Sequence, residues 1–168
     1  MSLTMYDASV PVFRQILTSL GAILSKAESH ATERKIEPVA LLQARLFPDM
    51  LALTRQIQIA ADFAKGASAR LAGVEVPKYE DTEQSFADLQ ARLAKTIAFI
   101  DSLPKAQIVG SEAREVNTSA GPNSKTFTGQ IYLTQYALPQ FFFHATTAYD
   151  ILRHNGVEIG KRDFMGKY

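Results

Sequence analysis

The sequence predicts an all-α fold, a four-helix bundle with a small β-hairpin inserted between its third and fourth helices. Three observations carry that expectation. Apolar residues recur at three- and four-residue steps through four long segments, the period of an amphipathic helix. Proline, glycine or small polar residues stand at the ends of those segments, where helices start and stop. Between Lys105 and Gly129 the helical period disappears, and there REVNT, SAGPNS and KTFTG read as two short strands joined by a turn.

Ser9 is placed to cap the first helix, and Pro11 lies in its first turn, where a missing N–H costs little. Phe13, Ile16, Leu17, Leu20, Ile23, Leu24 and Ala27 then form one apolar stripe, and the charges of SHATERKIE predict an end near His30. Residues 39–46 read as a short helical turn leading to Pro48, where the second helix is expected to begin. Its inner face is Leu53, Ile57, Ala60, Ala64, Ala67 and Leu71, and the small residues in its second half predict close approach of a neighbouring helix. Arg55, Gln58, Asp62 and Lys65 can pair with one another at helical spacing, so that stripe reads as a solvated face, and Gly73 as the stop.

After VEVPKYED, Asp81 and Gln84 have the spacing of a capping box, with Thr82 competing for the cap. The third helix buries Phe86, Leu89, Leu93, Ile97, Ile100 and Leu103, and Pro104 ends it. The fourth runs from about Gln130, is bent or restarted at Pro139, and stops at Asn155-Gly156. Phe164 and Tyr168 in the tail are expected to fold back over the helices. Four apolar faces of similar length bury themselves most economically against each other.

With 168 residues, 46% of them hydrophobic and 21% charged, the chain is expected to form a single domain over 1–168. Its net charge of +1, with both signs interspersed, argues against nucleic acid as a partner. The absence of cysteine excludes disulfides, thiolate ligands and cysteine nucleophiles. No apolar run reaches the roughly 18 residues that a membrane span needs, so no membrane role is expected. MSLTMYDASVPVF lacks the pattern of a secretory signal, which makes the cytoplasm the expected location.

Candidate chemistry centres on PQFFFHATTAYDILRHNG. His30 and His154 lie near helix C-termini, where the macrodipole favours cations. His144 differs, because Phe141, Phe142 and Phe143 precede it on a mostly apolar helix. Gln140 stands one turn before it and Ala148 one turn after, so the helix offers no second imidazole or carboxylate for a zinc site. The candidate ligand pocket is therefore His144 and Gln140 with Asp49 from the start of the second helix. That set binds a hydrated ion weakly and falls short of three strong ligands; His144 is the best single metal candidate, and no catalytic residue is identified. Tyr149, rotated by roughly 140° from His144, is expected in the core. Gly66-Ala67-Ser68-Ala69 lacks the flanking pattern of a phosphate loop. Tyr132, Tyr136, Phe141, Phe142 and Phe143 cannot all face inward, since consecutive helical positions diverge by about 100°. The surplus aromatic surface predicts a homodimer through the fourth helix, with a lipidic or aromatic ligand as the alternative.

MYDASVPVF, RQIQIAADFAKGASARLAG and FFFHATTAYDILRHNGVEIGKRDF resemble an uncharacterised bacterial family, a domain of unknown function related to the DinB and YfiT-like metalloenzymes. The resemblance spans nearly the whole chain. It implies a DinB-like four-helix bundle, often dimeric, whose better-known relatives hold a divalent metal with one histidine from helix two and a pair spaced by four residues on helix four. On that pattern His144 matches the second histidine of the pair, Gln140 stands in place of the first, and Asp49 or Pro48 falls near the helix-two ligand. Two of the three implied imidazoles are thus replaced. Two functions follow as expectations. The first is a noncatalytic small-molecule binding or interaction protein that has lost most of the metal site. The alternative is a divergent metal-dependent transferase or hydrolase, with Asp49, Gln140 and His144 around a weakly held nickel, zinc or manganese ion.

Overall fold

The computed structural model describes residues 2–120 and 123–168 of the chain. Helix α1, Val10–Arg34, buries the expected stripe from Phe13 to Ala27. It runs past His30 because Ala31, 2% exposed, extends that stripe. Lys35 then turns left-handed at φ 55°, and Ile36 N–H closes onto the Ala31 carbonyl at 2.8 Å. Ser9 does not cap this helix with its side chain. Its hydroxyl donates instead to the Met5 carbonyl at 2.6 Å, bracing the turn before the helix.

A short helix α2, Pro38–Leu42, precedes α3, Leu53–Ala72. The second long helix therefore starts at Leu53, five residues beyond Pro48. The end of α2 explains the shift. Leu53 N–H donates to the Ala44 carbonyl and Thr54 Oγ1 to the Leu42 carbonyl, both at 3.0 Å, so the first turn of α3 is anchored by the preceding segment. Pro48 and Asp49 lie in an intervening turn. Gly73 ends α3 at φ 72°, as glycine without a Cβ readily does.

Helix α4 spans Phe86–Asp101. Its capping box is Ser85 with Asp88 rather than Asp81 with Gln84. Asp88 N–H donates to Ser85 Oγ at 3.1 Å, and Ser85 N–H donates to the Asp88 carboxylate at 3.0 Å. Asp81 and Glu83 are drawn elsewhere, as described below. One turn of helix, α5 at Lys105–Ile108, falls in the stretch where no helical period is visible. Strands β1, Glu115–Ala120, and β2, Asn123–Thr128, pair antiparallel with Val116 opposite Phe127, which is the expected hairpin. The Gly121-Pro122 step of its expected turn lies outside the described residues.

The fourth long helix is composite: α6, Gly129–Ile131, continues through a π-helical segment, Tyr132–Ala137, into α7, Leu138–His154. Pro139 accounts for the change of pitch, since it has no N–H to give and its ring crowds the carbonyl four residues back. Gly129 joins hairpin to helix under a tight constraint. A Cβ there would stand 2.1 Å from the Ser111 carbonyl oxygen. After Gly156, left-handed at φ 88°, a short helix α8, Lys161–Met165, returns to α1. Phe164 packs edge-on against the half-buried Tyr149 at 5.8 Å, Gln15 donates to the Met165 carbonyl at 2.8 Å, and Lys26 pairs with Asp163 at 2.6 Å. Tyr168 is not packed into the helices. It stands at the rim of a groove that it lines with Pro11, Arg14 and Thr18 of α1, and it is 99% exposed.

Around this frame α3 lies between α7 and α4, with Ala60, Ala61, Ala64, Ala67 and Ala69 sealed from solvent. The stripe Arg55, Gln58, Asp62 and Lys65 is not a solvated face. Gln58 and Lys65 are 2% and 5% exposed, because residues 74–84 cross over them. Arg92 of α4, 3% exposed, reaches into the same layer and bonds Asp62 at 2.9 Å, Asp81 at 3.1 Å and Glu83 at 2.9 Å. Gln58 donates to Glu83 at 2.7 Å. The Tyr79 ring receives Lys65 Nζ at 3.8 Å and Lys95 Nζ at 4.2 Å from its centroid. Burial pushes the Glu83 carboxyl up, but the hydrogen bonds from Arg92 and Gln58 outweigh it and hold the group below its ordinary value of 4.5.

Removing the guanidinium leaves three carboxylates without their shared partner. Arg92→Ala is expected to lower stability by about 3 kcal/mol in urea unfolding, whereas Lys26→Ala, which breaks an exposed pair, is expected to lower it by under about 1 kcal/mol. The depressed Glu83 pKa contributes stability that is present above the unfolded value and lost as pH falls below it, so Arg92→Ala also flattens the acid limb of the stability profile. Gly129→Ala is expected to lower stability by about 2 kcal/mol or more in the same measurement, because backbone has to move to admit the methyl group.

Candidate functional site

His144 lies in the second turn of α7, on the side that faces the start of α3, and is 9% exposed. Its Nδ1 stands 2.7 Å from Gln56 Oε1. Gln56, 1% exposed, has its amide nitrogen 3.0 Å from the Leu51 carbonyl, just ahead of α3. Leu51 can only accept, so the glutamine NH2 must face it and the glutamine oxygen must face the imidazole. Nδ1 is therefore the donor, and a neutral His144 keeps its lone pair on Nε2. That atom has no protein partner among the described residues and is not sealed from solvent. Burial pushes the His144 pKa down, and the nearby Arg55 charge lowers it further, which keeps the ring neutral at pH 7.

Aromatic rings frame the imidazole. Phe63 of α3 stacks on it at 6.2 Å with 13° between planes, and Phe143 meets it edge-on at 5.2 Å. Tyr136 packs on Phe63, and Tyr132 on Tyr136, each at 5.9 Å. The π-helical segment places those two tyrosines above one another, and Phe127 of the hairpin lies 5.3 Å from Tyr136. At the far end Arg70 donates to the Tyr132 hydroxyl at 3.3 Å. Burial raises the Tyr132 pKa more than Arg70 lowers it, so the ring stays a phenol.

Of the residues expected to form the pocket, His144 is at its centre. Gln140 is half-buried and lines a groove of about 250 Å³ with Tyr136, Pro139 and Phe143. Asp49 is exposed in the turn before α3. Neither Gln140 nor Asp49 hydrogen-bonds His144 among the described residues, and Gln56 occupies the position opposite the imidazole. A second groove, of about 470 Å³, runs along the other side of Phe143, between α7 and the loop that carries Leu46 and Met50. Phe47, Phe142 and Phe143 are 63%, 37% and 55% exposed on this side of the molecule. His30 is half-buried within α1, and His154 is exposed in the last turn of α7.

Gln56 was detectable in principle. It stands three residues after Leu53 and four before Ala60, a polar side chain at core spacing on an apolar stripe. Such a residue is buried only with its hydrogen bonds satisfied.

The donor set does not fit a three-imidazole metal site. Among the described residues no three His, Cys, Asp or Glu side chains converge. His144 meets an amide whose oxygen already accepts its Nδ1–H, and amides are weak ligands for the ions that imidazole clusters hold.

Fold and site together define a DinB-like helical bundle in which a histidine–amide pair lies where two long helices meet. The chain is similar in structure to a DinB family member protein from Shewanella denitrificans, with a TM-score of 0.89 and 40% sequence identity, over 97% of this chain and 92% of that one. It belongs to the DUF1993 family, a domain of unknown function whose model matches residues 5–165. No curated protein matches it. Among the described residues no helix is long and apolar enough to cross a membrane.

A histidine held neutral in the fold must gain a proton on unfolding in acid. Its stabilising contribution is full above the unfolded pKa near 6.5 and is lost as pH falls toward the depressed folded value. The stability difference between the native protein and His144→Gln is therefore expected to shrink between pH 7 and pH 5 in urea unfolding, and a constant difference would remove the assignment of a neutral ring.

Proposed function

We propose that this protein is a noncatalytic small-molecule binding or interaction protein, in which a DinB-like bundle over 1–168 has kept its frame and replaced most of the family's metal ligands. The observation that carries the reading is the closed hydrogen-bond chain from His144 through Gln56 to Leu51. It fixes the best metal-binding side chain as its Nδ1–H tautomer and, with no cluster of three metal-binding side chains among the described residues, leaves one imidazole acceptor beside aromatic rings. Grooves on both sides of Phe143 give a small apolar ligand somewhere to lie. The exposed rings of Phe142, Phe143 and Phe47 support self-association as a homodimer. A cytoplasmic location goes with this reading.

The alternative, a divergent metal-dependent enzyme, draws support from the free Nε2 of His144, because a ligating imidazole also donates its other N–H to an oxygen. Elemental analysis of purified protein, followed by titration with nickel, zinc and manganese, separates the two. The expected result is no stoichiometric metal. Tight, stoichiometric metal that is lost in His144→Ala would establish the alternative. Sedimentation at micromolar concentration is expected to give a dimer that Phe142→Ser with Phe143→Ser converts to monomer, and a monomeric native protein would remove the self-association.

A further inference from the structure

We infer that Gln56 is a positioning residue that fixes His144 as its Nδ1–H tautomer and so presents Nε2 as the acceptor for a neutral, planar ligand bearing an O–H or N–H donor. The ligand part of this inference rests on the binding function proposed above; the tautomer does not.

The chain of constraint has a definite direction. A backbone carbonyl, at Leu51, accepts from the Gln56 amide nitrogen at 3.0 Å. That contact orients the amide, whose oxygen then stands 2.7 Å from His144 Nδ1 and accepts its proton. Gln56 is 1% exposed, so its amide lies away from bulk solvent. An uncharged acceptor also leaves the ring without a carboxylate to draw a second proton onto it. Among the described residues the lone pair on Nε2 has no partner, and the atom is not enclosed.

The surroundings choose the ligand class. Phe63 covers one face of the ring, and Phe143 stands at its edge while also lining both grooves, of about 250 and 470 Å³. A flat apolar body can lie against Phe143. His144 itself lines neither groove, so a donor on that body reaches past the edge of Phe143 to satisfy Nε2, whereas an anion would set its charge against a lone pair.

The test uses the full chain with 15N-labelled histidine and long-range proton–nitrogen correlation spectra near pH 7. His144, assigned by its loss in His144→Ala, is expected to show a protonated Nδ1 and an unprotonated Nε2. A protonated Nε2 would overturn the inference. Gln56→Leu is expected to move the proton wholly or partly to Nε2, and Gln56→Glu, whose carboxylate accepts from Nδ1–H and raises the ring's pKa, to keep Nδ1 protonated and to add a proton at Nε2. An unchanged tautomer in Gln56→Leu would remove the positioning role, and if that variant fails to fold, the native spectrum and Gln56→Glu decide. Phenol is then expected to shift the Nε2 resonance, and anisole, the same ring without the donor, to leave it in place. Equal responses, or none, would refute the ligand class. These readouts are independent of the metal content that tests the proposed function.

Discussion

The close seating of α3 against α7 is the constraint from which most of the molecule follows. Ala60, Ala64 and Ala67 share one face of α3 and are sealed from solvent, and a helix face with so little side-chain volume lets its neighbour approach nearer than leucine would allow. The large side chains are thereby displaced to the margins of that contact. Phe141 goes to the far side, where it meets Phe13 of α1 edge-on at 4.8 Å. Phe63 and Tyr136 go to the flank, above His144. At the N-terminal end of α3 the alanine run gives way to Leu53 and Gln56, and the polar pair forms where the two helices would otherwise leave a gap.

The opposite side of α3 is organised by charge. Arg92 meets three carboxylates from two segments, and residues 74–84, which have no secondary structure of their own, are fixed by those contacts. Buried ion pairs of this kind stabilise little relative to a well-packed apolar layer, but they are specific, because any other placement of the link strands an arginine. The link therefore closes over the helix in one arrangement, and this is why Asp81 and Glu83 serve the network while Ser85 and Asp88 take over the cap.

What was legible in the sequence were the features that depend on period and on single-residue chemistry. The stripes of α1, α3 and α4, the left-handed stops at Gly73 and Gly156, the hairpin and the interruption at Pro139 all follow from local rules. What was not legible depended on partners distant in the chain. Arg55, Gln58, Asp62 and Lys65 have the spacing of a solvated stripe, and nothing within α3 reveals that Arg92, thirty residues beyond Asp62, will cover it. The start of α3 moved from Pro48 to Leu53 for the same reason, since carbonyls of the preceding segment take the donors of its first turn. His144 was visible as a buried polar residue among phenylalanines. Gln56 was hidden by the apolar residues around it and acquires meaning only when α7 is laid alongside.

The choice of an amide opposite His144 has a physical logic that neither a carboxylate nor a second imidazole shares. A buried aspartate or glutamate would stabilise the imidazolium and raise its pKa, yielding a charged pair that needs further solvation in an apolar layer. An imidazole can donate or accept, so it would leave the proton's position undecided. Glutamine can do both, but its anchored NH2 removes the choice: with Leu51 taking the donor end, only the acceptor end remains for His144. Neutrality also suits the position, because Arg55 already disfavours a positive ring and Phe63 and Phe143 exclude water from much of its surface. The bundle thus holds an imidazole of defined tautomer without the charge that a metal cluster would require its ligands to share. Polar recognition at this end of the helices then reduces to a single lone pair in an aromatic setting.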